Sequence, residues 1–201
     1  MINITTRICL SKKSKKIIKR FLKRDCHGHY DVNSWDKIPK SVKNEFSKRL
    51  FYNQNNKCVY CGRYLPLNAP EMDHFAHKAR YPQFSFTAIN VFYSCRFCNS
   101  PTRKGQKPTI RVLHDNYRQC NFSIVHPYLN NPDNEIFYKD VDRIDIDWFR
   151  CTPLGKVTIN FFGYHDSFYT GIRSQNHILS VFSPYTSEQE KEQIQKSIAY
   201  K

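Results

Sequence analysis

Long apolar runs are missing from this chain. No stretch approaches the length of a membrane-spanning helix, and the N-terminus has no apolar segment of the secretory kind, so a soluble, cytoplasmic protein is expected. Acidic residues are also scarce: 17 Asp and Glu face 32 Lys and Arg, for a formal net charge of +15. The deficit is local. Residues 1–24 hold nine Lys or Arg and no acid, and residues 1–108 hold 22 basic and 6 acidic groups. Residues 109–201, with 10 and 11, are close to neutral. Internal repeats, low-complexity tracts and obvious linkers are absent. A hydrophobic content of 40% and an aromatic content of 15% exclude a disordered chain.

An N-terminal half this cationic suits a polyanionic partner, because neutralising phosphates releases counterions. A solubilising surface, or a helix resting on anionic lipid, is the plainer explanation of the same charge. Three segments are expected: a basic helical arm over 1–57, a cysteine-bearing core over 58–108 and a β-rich part over 109–201. Residues 11–24 read as a basic helix with Ile17, Ile18, Phe21 and Leu22 on its apolar side. Residues 25–36 read as a loop, and 40–53 as a second helix with Val42, Phe46 and Leu50 spaced by four. Strands are expected at 72–75 and 90–94, and a short helix over 95–105 that Pro101 could disturb. Further on, 136–139, 141–149 and 156–162 read as strands, the last two joined by a turn at Leu154-Gly155. Thr186 and Ser187 offer a capping box to a terminal helix near 187–199.

Eight cysteines in a reducing compartment point to metal ligands or buried thiols more than to disulfides. Cys58-Val59-Tyr60-Cys61 and Cys95-Arg96-Phe97-Cys98 form two CxxC pairs. Two residues between cysteines let both sulfurs of a pair reach one ion, and four thiolates close a tetrahedral shell around structural Zn2+. Four unrelated buried thiols are the alternative. Cys26, His27 and His29 could contribute to a second site, although no fourth ligand is evident, and His77 is ambiguous.

Between the pairs stands Glu71-Met72-Asp73-His74-Phe75, and Asn99 follows the second pair directly. In a strand Asp73 and His74 point to opposite faces, and on a helix Asn99 is turned about 100° from Cys98. Asn99 can therefore face a second site while Cys98 faces the first.

These residues resemble the HNH, or ββα-metal, endonucleases in their four-cysteine subgroup. The resemblance lies in CVYCG at 58–62, MDHFAHKARYP at 72–82, AIN at 88–90, SCRFCN at 94–99 and KGQKP at 104–108. It covers about a quarter of the chain. It implies an α+β fold with a treble-clef-like ββα-metal core and a phosphodiester hydrolase, DNA being favoured over RNA. By position His74 matches the general base, Asp73 the first ligand of a catalytic ion, and Asn90 the middle Asn that braces the loop. Asn99 stands where the family has its final His, a departure that also occurs in the HNH domains of CRISPR effector nucleases. An Asp and an Asn make a hard oxygen site suited to Mg2+ or Mn2+. Lys78, Arg80, Arg96, Arg103, Lys104 and Lys107 are expected to hold phosphates. The stretch VHPYLNNPDNEIFY at 125–138 resembles the segment downstream of the HNH block in bacterial proteins, some associated with anti-phage defence and with ATPase partners. Two other readings stay open: a non-catalytic zinc module that binds nucleic acid, and a subunit whose site acts only inside a complex.

Overall fold

A computed structural model describes residues 1–65 and 70–182, with Tyr185, Ser187, 189–190 and 193–194 beyond them. Four short strands and six α-helices are found among the described residues. The chain enters as an extended segment that buries Ile4, Ile8 and Leu10, and the amide of Ile2 donates to the carbonyl of Val59. Helix α1 (Lys12–Phe21) starts at Ser11, whose hydroxyl accepts from the amide of Ser14. Every Lys and Arg of residues 12–24 is exposed. A four-residue helix α2 (Ser34–Lys37) lies in the stretch expected to be loop, and it buries Trp35. Helix α3 (Lys40–Asn53) has the expected bounds, and its stripe of Val42, Phe46 and Leu50 is fully buried.

Strands β1 (Glu71–His74) and β2 (Val91–Ser94) form an antiparallel pair in which Asp73 faces Phe92 and His74 faces Val91. Helix α4 (Arg96–Asn99) follows at once, and it is much shorter than the expected 95–105. Pro101 stops it through its neighbour: the residue before a proline is kept out of the helical region, and Ser100 sits at φ −65°, ψ 157°. The β1–β2–α4 unit and a four-cysteine cluster lie within a mixed α+β fold with small sheets. A second small sheet pairs β3 (Ile110–Val112) with β4 (Asn121–Phe122).

The expectation of a β-rich C-terminal part is overturned. Residues 156–162 lie in helix α5 (Pro153–Phe162), and α6 (Ser167–Phe182) follows. Leu154-Gly155 is the first turn of α5 rather than a hairpin turn. The β-branched run was the misleading signal. The deciding ones are Thr152, whose Oγ1 accepts from the Gly155 amide, Pro153 in the first turn, and Gly163 in the left-handed region at φ 71°. The buried positions 155, 158, 159 and 162 also keep helical spacing. Gly155 is required there, because a Cβ would stand 1.9 Å from the carbonyl oxygen of Glu135.

The alternating segment 141–149 forms no strand, and only an isolated bridge joins Tyr138 to Ile146. Its aspartates take backbone amides for themselves. Asp142 accepts from Ile144 and Asp147 from Arg150, in competition with a strand ladder. The capping box at Ser187 is made, with its amide and hydroxyl both donating to Glu190 Oε2 at 2.7 Å. The expected terminal helix over 187–199 otherwise lies outside the described residues. No helix among the described residues is long and apolar enough to cross a membrane.

Candidate active site beside a four-cysteine centre

The loop before β1 and the N-terminus of α4 bring the two CxxC pairs together. Gly62, at φ 76°, lets the first pair turn back on itself, with its amide donating to the Cys58 carbonyl. The four sulfurs lie within 4.8 Å of one another and all four residues are buried. Tetrahedral zinc with bonds of about 2.3 Å sets sulfurs about 3.8 Å apart. Cys61 and Cys95 stand at 3.9 Å, so the donor set and its spacing could hold zinc. Hydrogen bonds from Cys58, Cys61 and Cys98 hold the Cys95 thiol far below the ordinary range, whereas burial pushes Cys61 up. A central dication would draw all four to the thiolate form.

Strand β1 ends in the candidate catalytic pair, Asp73 and His74. His74 points toward α2, where Trp35 meets its ring edge-on at 4.5 Å between centroids. Its Nε2 is 2.9 Å from the carbonyl oxygen of Ser85. A carbonyl only accepts, so Nε2 carries the proton and Nδ1 keeps its lone pair. Burial pushes the His74 pKa down to about 3, with the Lys104 and Lys78 charges acting in the same direction. The imidazole is therefore neutral at pH 7.

Asp73 points the opposite way and is buried. Its Oδ1 accepts from Lys104 Nζ at 2.9 Å, and its Oδ2 accepts from the Tyr60 hydroxyl at 2.5 Å. Burial nonetheless raises the carboxyl pKa, and the Lys104 charge and the Tyr60 hydroxyl oppose that shift. Asn99, on α4, turns an amide atom to Glu71 Oε2 at 2.9 Å. A carboxylate only accepts, so that atom is Nδ2, and Oδ1 is the oxygen available as a hard ligand. Asp73, His74, Lys78, Asn99 and Lys107 border one cavity of about 610 Å3, which His77 also lines.

Asn90 sits behind the site and is wholly buried. Its Oδ1 accepts from the Ala76 amide at 2.7 Å and the Tyr117 hydroxyl at 2.8 Å. Its Nδ2 donates to the carbonyls of Ala76 and Phe84. Three of these hydrogen bonds pin the loop that follows His74, and the fourth ties Asn90 to Tyr117. A further link backs them. His126 Nδ1 accepts from the Tyr128 amide, so its Nε2–H donates to the Tyr117 oxygen at 3.0 Å.

The six cations expected to hold phosphates separate into groups. Lys78 and Lys107 reach the cavity, although Lys78 also pairs with Asp36. Arg96 is exposed on α4, and Arg80 lines a neighbouring groove. Lys104 departs from the expectation: its ammonium is fully buried and donates to Asp73, the His74 carbonyl and the Gly105 carbonyl. Arg103 is also engaged, donating to the Phe162 carbonyl and pairing with Asp166 while stacking on Phe97 and Tyr169. It fastens α5 and α6 to the centre rather than reaching outward.

Sequence reasoning missed Tyr60, Glu71, Trp35, Tyr117 and His126. Tyr60 carried a signal, standing inside the first CxxC pair. The others are found only through contacts distant in the chain. Cys26, His27 and His29 are exposed and belong to no cluster of metal-binding side chains among the described residues.

No family model matches the chain. It is 32% identical over 91 residues to protein ea31 of Escherichia phage lambda, covering 45% of this chain and 26% of that protein. It is 34% identical over 84 residues to Septu protein PtuB of Bacillus thuringiensis, covering 41% of this chain and 28% of that one. The chain therefore spans about a quarter of the length of the curated relatives it matches, and each similarity is to part of a larger protein.

Proposed function

We propose that this chain is a metal-dependent endonuclease of the HNH kind, hydrolysing phosphodiester bonds in nucleic acid, with DNA the favoured substrate. The observation that carries the reading is His74: neutral, fixed through Nε2, and bordering a cavity shared with Asp73 and Asn99. Its Nδ1 takes a proton from the attacking water. The Ser85 carbonyl steadies the ring as positive charge develops on it. Lys78 and Lys107 position the phosphate, and Asn90 keeps the loop that carries Lys78 in register. Asp73 and Asn99 would hold Mg2+ or Mn2+, whose charge stabilises the departing oxygen when bound. The four cysteines would hold zinc as a structural staple. Similarity to a Septu protein agrees with the defence association expected from residues 125–138. We take the chain to act beside an ATPase or another defence-system protein.

The test is cleavage of supercoiled plasmid, single-stranded DNA and total RNA under varied metals, with His74→Ala in parallel. General-base assistance is worth about 100- to 10,000-fold, so His74→Ala should lose at least that in rate while nucleic-acid binding persists. A second reading is supported by the engagement of Asp73 with Lys104 and Tyr60, which occupies the carboxylate that catalysis needs. On it the chain is a binding module without catalysis. Undiminished cleavage by His74→Ala, or binding without cleavage under every metal, favours that second reading.

A further inference from the structure

A larger cavity than the candidate active site stands beside it among the described residues. It is a groove of about 1290 Å3 between α1 and the loop that follows His74. Six cations line it: Arg7, Lys15, Lys19, Arg24, Arg80 and Arg118, all exposed, against one acid, Asp115. None of the six is in a salt bridge among the described residues, unlike Lys78 and Arg103. A cationic groove with so little opposing charge concentrates anions.

Its floor is of different chemistry. Ile18 and Leu22 of α1 are half-buried and face the groove beside half-buried Tyr30 and exposed Val32. Arg24 lies over the Tyr30 ring, 5.0 Å from its centre. Phosphates alone would leave this apolar strip facing water. Unpaired bases, each with a flat apolar face, would cover it while their phosphates met the rim. A duplex keeps its bases stacked inside and offers the floor nothing. The groove also reaches the candidate active site: Lys78 borders the catalytic cavity, and the next two residues, Ala79 and Arg80, line the groove.

We propose that this groove binds single-stranded nucleic acid and leads it to the cavity holding His74. The inference rests on the nuclease reading for what happens at the end of the groove, but its binding step does not. It can therefore be tested without cleavage, in a His74→Ala protein with a fluorescent 20-nucleotide DNA. Cys9 supplies a native reporter, since it is exposed and lines the groove, whereas exposed Cys26 does not line it. Single-stranded DNA should slow iodoacetamide alkylation of Cys9 several-fold and leave Cys26 unaffected. The same sequence as a duplex should protect Cys9 far less.

Replacing Lys15, Lys19 and Arg118 together by Gln should weaken single-strand binding more than tenfold. The salt slope should flatten by about 0.7 for every phosphate that the variant no longer neutralises. Unprotected Cys9, or an unchanged affinity and slope in the triple variant, overturns the groove. Better protection by duplex overturns the single-strand assignment. Protection that appears on concentrating the protein without DNA overturns it in favour of a second copy of the chain. Cys9 protection in the chain with all three cations intact decides the matter if the triple variant fails to fold. Absent cleavage by the protein with His74 intact, under every metal and with Cys9 protected, would remove the nuclease reading and leave the groove standing.

Discussion

The four-cysteine centre and the candidate catalytic cavity share the β1–β2–α4 unit, yet they are made differently. At the centre, four identical donors converge, and packing from α5 and α6 closes them off: Tyr169 OH lies 3.5 Å from Cys98 Sγ. At the cavity, His74, Asp73 and Asn99 differ in chemistry and each is held by a residue remote in sequence. Trp35 and Ser85 hold His74, Tyr60 and Lys104 hold Asp73, and Glu71 holds Asn99. A structural site gains from redundancy and burial. A reactive site needs distinct groups in fixed protonation states, each with its own support. Tyr60 joins the two, because it sits inside the first cysteine pair and bonds Asp73.

The comparison is broken most severely by removing a cysteine. If the centre is a folding staple, the purified protein carries one zinc per molecule and Cys95→Ser loses it together with cooperative unfolding. Native mass spectrometry and thermal denaturation read both. A metal-free protein with a sharp transition would show that packing alone holds the centre.

Next in size is the Lys104–Asp73 pair, which tests whether the cavity side also carries stability. Lys104→Met leaves a buried carboxylate without its cation and should cost about 3–5 kcal/mol in urea denaturation. Adding Asp73→Leu to that variant should restore part of the loss, because no charge is then left unpaired. A single variant as stable as the parent would mean that Asp73 is protonated or solvated in solution.

How much of the molecule was legible in the chain divides along the same line. The cysteine centre depends on spacing within two short segments, so residues 58, 61, 95 and 98 announce it. Helix α3 and the β1–β2 pair were readable for a like reason, their period and end signals being local. The buried role of Lys104 was not readable, since a lysine in KGQKP looks like any surface cation until a distant strand brings a carboxylate to it. Arg103 was hidden in the same way by α5 and α6. In 153–163 the information was present, in Thr152, Pro153, Gly163 and the 155, 158, 159, 162 stripe. Its β-branched residues pulled the reading toward strand, although their stiffness opposes a helix by only a few tenths of a kcal/mol each.

A milder probe of the cavity's support is pH. Burial lowers the His126 pKa to about 3, against an ordinary value near 6.5. The folded state keeps this ring neutral while the unfolded chain takes up a proton below about 6.5, so the unfolded state binds more protons between the two values. The contribution is thus fully present above pH 6.5 and is lost as pH falls toward 3, on the order of a few kcal/mol. Measured by urea titration, a His126→Gln variant should show a shallower fall in stability over that window than the parent. Parallel curves would mean that His126 is not buried neutral, and that the Tyr117–Asn90 brace stands without it.

The smallest effect is expected where the C-terminal helices support both sites from outside. Phe162 of α5 packs on the Tyr60 ring at 4.8 Å, and its carbonyl accepts from Arg103. Helix α5 depends at its start on Thr152, whose Oγ1 takes the Gly155 amide at 3.0 Å and itself donates to Glu135. Thr152→Ala removes that cap and should cost about 1 kcal/mol, within the usual range for a lost N-cap. Thr152→Ser keeps the hydroxyl and should recover most of it. Zinc content should not change, because the cap lies outside the cysteine cluster. The amides of α5 should exchange faster with solvent, and those of β1 should not. Faster exchange spreading to β1 would show that α5 sets the position of Tyr60, and through it Asp73, rather than only covering them.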